Sequence, residues 1–150
     1  MPDGNAGELP SWDLRDLYPS PDAPGLEADL VRGLAEARAF EAAHGGKLAG
    51  MSGAALGAAI GEYERIEEGL GRVMSYAQLL FSGNSADAAV GKFYQSMTER
   101  VTTISSHLIF FTLELNRLDE AEIEAKLRDP AAAKWWPWLR DLRVFRPHQL

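Results

Sequence analysis

At 150 residues the chain has the length of one domain with a core of its own, and 46% hydrophobic against 25% charged residues excludes disorder along its whole length. The formal charge is −7, and Lys and Arg are scattered apart from Arg140, Arg143 and Arg146, so nucleic acid and acidic membrane surfaces are excluded as natural partners. There is no cysteine, which removes disulfides, thiolate zinc sites and cysteine nucleophiles together.

The first residues, Met1 to Asn5, have neither the basic nor the apolar region of a secretory signal. The longest strongly apolar run, Leu108 to Phe111, is too short to span a bilayer. The expected location is cytoplasmic. Residues 1 to 23 read as an N-terminal arm, polar and irregular as far as residue 11. Trp12, Leu14, Leu17 and Tyr18 are its apolar groups, expected to dock on the body, and Pro19, Pro21 and Pro24 forbid a continuing helix.

Residues 24 to 150 read as an all-α domain. A first helix is predicted from Pro24 to His44, with Leu26, Leu30, Leu34, Ala37 and Phe40 at helical spacing. Gly45-Gly46 supplies a left-handed stop, and His44 in the last turn suits a capping role at the negative end of the dipole. Ser52 is the N-cap of a second helix reaching Phe81 or Ser82, with Leu56, Ile60, Tyr63, Ile66, Leu70, Val73, Ala77 and Leu80 as its stripe. Gly53, Gly57 and Gly61 stand four apart on one face. Each interior glycine weakens a helix by up to about 1 kcal/mol relative to alanine, so either a backbone approaches this ridge or the helix bends or starts late.

The segment 82 to 87 is a tight polar break. Gly83-Asn84 suits positive φ and Ser85 suits a cap, so the flanking helices form an antiparallel hairpin. In the third helix Val90, Tyr94, Met97, Val101, Ile104, Leu108, Phe111 and Leu115 follow an unbroken 4-3 alternation, a heptad seam. Ile109, Phe110 and Leu113 widen the apolar surface at its end, which predicts burial there by several neighbours. Asp119 and Glu122 form a capping box for a shorter helix carrying Ile123 and Leu127. Asp129-Pro130 separates it from a last segment rich in aromatics, with Trp135, Trp136, Trp138 and Phe145, where Pro137 falls early enough to open a helix. The fold expected is a long antiparallel helical hairpin packed with a preceding helix and shorter C-terminal helices. No stop signal precedes Leu150, so the chain is expected to continue.

Candidate chemistry is sparse. His44, His107 and His148 form no H-E-x-x-H and share no helical spacing. His107 reads as a hydrogen-bonded, partly buried histidine. Glu62, Glu64, Glu67 and Glu68 read as a solvated helix face interleaved with Arg65 and Arg72. Ser105-Ser106-His107 is no nucleophile arrangement, because helix neighbours point apart. Gly45-Gly46 follows a helix and is no phosphate loop. No catalytic or metal residue is assigned, and substrate-binding residues stay unknown.

The segments "HLIFFTLELNRLDEAEIEAKLRDP" and "WPWLRDLRVFRPHQL" closely resemble the N-terminal region of the oligoendopeptidase F family of zinc metallopeptidases. So do "WDLRDLYPSPDAPGLEADL", "YAQLLFSGNSAD" and "FYQSMTERVTTIS", so the resemblance runs from Trp12 to Leu150. It implies a parent enzyme shaped as a helical clamshell, cleaving oligopeptides with one zinc held by two histidines of H-E-x-x-H and a downstream glutamate, the motif's glutamate acting as general base. That motif lies beyond the matched region, so no zinc ligand or catalytic group carries over. The resemblance implies an architectural role: a non-catalytic N-terminal domain forming part of the cleft wall, with the catalytic domain and oligopeptide substrate as partners. Tyr63, Tyr76 and Tyr94 are the tyrosines available to touch peptide, though seam or core packing suits them better. The alternative is a stand-alone helical interaction module that binds through the heptad seam.

Overall fold

The computed structural model describes residues 11 to 148 and is all-α; the expectations for residues 1 to 10 and for Leu150 lie outside them. Helix α1 spans Pro24–His44, as the spacing predicts. Proline's fixed φ and missing N–H suit the first turn. Leu26, Leu30, Ala37 and Phe40 face inward. The helix stops where Gly46 takes φ +74°, a conformation that side chains with a Cβ resist. Its last carbonyls are not capped by His44. Lys47 does this, donating from Nζ to the carbonyls of Ala43 at 3.0 Å and Ala42 at 3.4 Å. The His44 ring is held instead edge-on against Phe40, 4.6 Å between centroids.

Helix α2, Gly53–Gly83, runs for 31 residues, roughly 46 Å. The Ser52 hydroxyl caps it, accepting from the Ala55 N–H at 3.0 Å. The turn after it differs from expectation. Asn84 sits at φ −150°, and Asp87 rather than Ser85 caps the next helix by accepting from the Ala89 N–H at 2.8 Å. The Asp87 carboxylate stands directly before the first helical turn, where that N–H points. The hairpin closes on two aromatic pairs, Phe81 stacked on Tyr94 (5.2 Å) and Tyr76 edge-on to Phe93 (6.0 Å).

The long third helix is two helices. Helix α3 spans Ala88–Ser106 and helix α4 spans Ile109–Arg117. Between them the N–H groups of His107 and Leu108 bond to Ile104 and Ser105, three residues back, so the chain tightens into a 3-10 turn. The residues before it weaken the helix. Thr103 and Ser106 turn their hydroxyls onto the carbonyls of Glu99 and Thr103, a back-bonding that bends helices. The seam survives: Met97, Ile104, Leu108, Phe111 and Leu115 are all buried, and Val90, Tyr94 and Val101 half-buried. The widened apolar end is not enclosed on every side, since Ile109 is 55% exposed.

Helix α5, Glu120–Lys126, has the full reciprocal capping box, with Asp119 and Glu122 each bonding the other's backbone N–H at 2.8 Å. Helix α6, Pro130–Ala133, is capped by Asp129, and Pro137 falls in the first turn of helix α7, Trp136–Arg143. Arg143 reaches from α7 to the open end of α4. It donates to the carbonyls of Leu115 (3.0 Å) and Leu118 (2.9 Å) and to the Glu120 carboxylate (2.6 Å). Arg146 adds a contact to Glu120 at 3.3 Å. The arginine run is therefore partly an internal clamp.

The C-terminal helices lie across α2 on its glycine ridge. A Cβ on Gly57 would stand 2.2 Å from the Ala131 carbonyl oxygen, and one on Gly53 would stand 2.3 Å from that of Lys126. Close backbone approach is thus the reason for the ridge. Beside it, buried Lys126 donates to the carbonyls of Ala49 (2.9 Å) and Met51 (2.6 Å), tying α5 to the 3-10 turn Leu48–Gly50. On the opposite side Arg100 of α3 forks onto Glu27 of α1 at 2.5 and 2.9 Å. The arm docks through Tyr18, whose ring meets Tyr76 edge-on and whose hydroxyl donates to Asp29 at 2.5 Å. Arg72 lies over the same ring and bonds the Leu17 carbonyl. Trp12 does not dock and is 71% exposed.

Candidate functional site

The three histidines are not gathered. His44 Nε2 lies 3.3 Å from Glu62, and His107 Nδ1 lies 2.5 Å from Glu41, bracing α1 against the α3–α4 turn. His148 is exposed at the last turn. Among the described residues no three His, Asp or Glu side chains converge as a metal site. The Ser106 hydroxyl is spent on the Thr103 carbonyl, and His107 is paired with Glu41. Tyr76 is buried and Tyr94 is stacked in the hairpin, which leaves Tyr63 as the tyrosine beside an open groove.

That groove, about 260 Å³, runs between α2 and the Trp135–Trp138 segment. Ile60, Tyr63, Glu64 and Glu67 form its floor at helical positions i, i+3, i+4 and i+7, one face of α2. Trp135 and Trp138 form the opposite wall. Trp135 packs over Gly61, 3.7 Å from where a Cβ would be, an ordinary contact distance. The aromatic surface is continuous with the core. Tyr63 packs against Phe111 at 5.1 Å and against Trp138 at 5.8 Å, and Phe111 meets Phe40 edge-on at 5.0 Å. The half-buried Tyr63 is thus held against two fully buried rings, Phe111 and, through it, Phe40.

Compared with protein-family models, curated proteins and solved structures, the chain finds no match.

Glu67 is half-buried, unlike a residue on a solvated face. Burial pushes the Glu67 carboxyl up from its ordinary range. Burial, with the Glu67 charge beside it, pushes the Tyr63 hydroxyl up to about 12. Glu62, by contrast, is turned away toward His44. Lys134 holds its ammonium 5.1 Å from the centre of the Trp135 ring, so this wall already carries one cation–π contact. Two buried polar groups have no partner among the described residues, Trp135 Nε1 at the groove and the Asn116 amide on α4.

The sequence reading put Glu64 and Glu67 on a solvated face; Glu64 is exposed as expected, Glu67 is half-buried, and the groove was missed. The i, i+3, i+4, i+7 stripe was there to be read. The wall opposite was not, because Trp135 and Trp138 reach Tyr63 through a tertiary contact across more than seventy residues.

Proposed function

We propose that this chain is the non-catalytic N-terminal helical domain of an oligoendopeptidase F-like zinc metalloendopeptidase. In this reading it forms part of the wall of a cleft that admits oligopeptides, and its partners are the catalytic domain of the same cytoplasmic protein and the peptide substrate. The observation that carries it is the order and spacing of the five resembling stretches between Trp12 and Leu150. The stretches also fall on joints of the fold. "YAQLLFSGNSAD" spans the hairpin turn, and "HLIFFTLELNRLDEAEIEAKLRDP" spans the α3–α4 turn, the capping box and the Asp129 cap. Such positions constrain a sequence by geometry and not by composition alone.

The alternative is a module that binds a partner through its heptad seam. Leu108, Phe111 and Leu115 of that seam are buried within the same chain, which weighs against it, while Val90, Tyr94 and Val101 are half-buried.

The test begins with the open reading frame. It should continue past residue 150 into an H-E-x-x-H segment. The full-length product should cleave internally quenched oligopeptides in a chelator-sensitive way, while the 150-residue chain holds no stoichiometric zinc and cleaves nothing. A reading frame that lacks H-E-x-x-H overturns the assignment, as does a tightly held zinc on the 150 residues alone.

A further inference from the structure

We propose that the groove between α2 and the Trp135–Trp138 segment is a recognition site for the arginine side chain of a peptide. The guanidinium would lie against the Tyr63, Trp135 and Trp138 rings and pair with Glu64 and Glu67. The proposal stands on the groove itself and does not depend on what enzyme, if any, the chain belongs to.

Charge complementarity selects the occupant. Glu64 and Glu67 stand one helical turn or less apart on the groove floor, and neither is part of an ion pair among the described residues. Of the nearby cations, Arg65 faces the separate groove lined by Arg32 and Glu36, Arg72 holds the arm, and Lys134 lies over the Trp135 ring, 5.1 Å from its centre. A half-buried carboxylate without a counterion is an unfavourable arrangement that an entering cation relieves. The walls select the kind of cation. Aromatic walls attract any cation, but a planar, weakly hydrated guanidinium both stacks on rings and pairs bidentately with a carboxylate, whereas an ammonium is a strongly hydrated point charge. Size selects the source. At about 260 Å³ the groove falls below the range of about 300–1,000 Å³ typical of pockets for whole small molecules, so it suits one side chain of a longer ligand lying across its open mouth. A held wall favours the contact further, since Tyr63 packs against Phe111.

The four tryptophans make the test internally controlled. Indole N–H resonances of the 150-residue chain are followed by NMR during titration with a blocked Gly-Arg-Gly tripeptide. Parallel titrations use its citrulline counterpart, which is nearly isosteric but neutral, and guanidinium chloride. The expected result is a saturable shift of the Trp135 and Trp138 signals while those of Trp12 and Trp136, which do not line the groove, stay still. Citrulline peptide and free guanidinium should bind at least tenfold more weakly. Glu67→Gln, which keeps the shape of the side chain, should weaken the arginine peptide by about tenfold, the effect of losing one charge-assisted contact. Equal binding of the citrulline peptide overturns the proposal, as does no shift up to about 10 mM peptide. Equal movement of all four indoles shows non-specific association and also overturns it. Guanidinium chloride binding as tightly as the peptide would make this a small-cation site and refute the peptide assignment. Because the peptide comparison is made on the unaltered chain, misfolding of a variant cannot hide the answer.

Discussion

Gly57→Ala separates two accounts of the ridge on α2 by sign. On helix propensity alone, alanine in a mid-helix position stabilises by about 1 kcal/mol. The packing account demands the opposite. A Cβ at Gly57 meets the Ala131 carbonyl oxygen at 2.2 Å, its carbon at 2.4 Å and the Ala132 nitrogen at 2.9 Å. These are backbone atoms, so no rotamer change relieves the clash, and α6 must move off the ridge. Overpacking of this kind costs typically about 1–3 kcal/mol. For a chain of this length each kcal/mol moves the thermal midpoint by about 2–4 °C, so Gly57→Ala should melt several degrees below the unaltered chain. Gly69→Ala is the matched control. It lies in the same helix with nothing within 4 Å of its new methyl group, and it should melt at or above the unaltered chain. Thermal and urea denaturation followed by circular dichroism read both. A Gly57→Ala variant as stable as Gly69→Ala would refute the docking of α6 on this face.

The core offers a second test: Phe111 is fully buried among Phe40, Phe110 and Tyr63, so Phe111→Ala should destabilise by about 3–5 kcal/mol in urea melts. Lys126→Met keeps the aliphatic stem but leaves the Ala49 and Met51 carbonyls without their donor, for an expected loss of about 1–3 kcal/mol and faster amide exchange around the 3-10 turn. Glu67 gives a pH signature. Its folded pKa is raised, so the folded state binds the proton more tightly, and stability falls as pH climbs from the unfolded value through the folded one. Glu67→Gln should therefore raise the thermal midpoint at pH 7, and the gain should vanish below about pH 4, where both states are protonated. An advantage that persists unchanged at pH 3 would contradict this reading of the groove.

Elements set by local chemistry were legible before the structure. Pro24 and Gly46 bound α1, Ser52 starts α2, and the Asp119–Glu122 box starts α5, because each acts on backbone groups within four residues of itself. The seam was legible as a pattern of burial and misleading as a pattern of continuity. No proline or glycine marks His107, and the break comes from hydroxyl back-bonding together with the Glu41 contact from α1. Competition between similar groups decided the other differences. Lys47 outreaches His44 to the end of α1, and Asp87 stands nearer the first turn of α3 than Ser85 does. The glycine ridge announced that something approaches α2 closely. What approaches, and the groove it leaves beside Tyr63, depends on where the chain returns far downstream.

That return carries a consequence for biosynthesis. Ala49 and Lys126, joined in the folded protein, are 77 residues apart in sequence. At translation rates of about 5–20 residues per second, the start of α2 leaves the ribosome several seconds or more before its covering helices exist. Helices form in about a microsecond, so the hairpin of α2 and α3 has ample time to assemble first. Its glycine-rich opening turns, the weakest in the helix, stay uncovered through that interval. Nascent chains halted before residue 126 should therefore show protease-sensitive cleavage between residues 53 and 61, and protection should arrive once Ala131 and Trp135 have emerged.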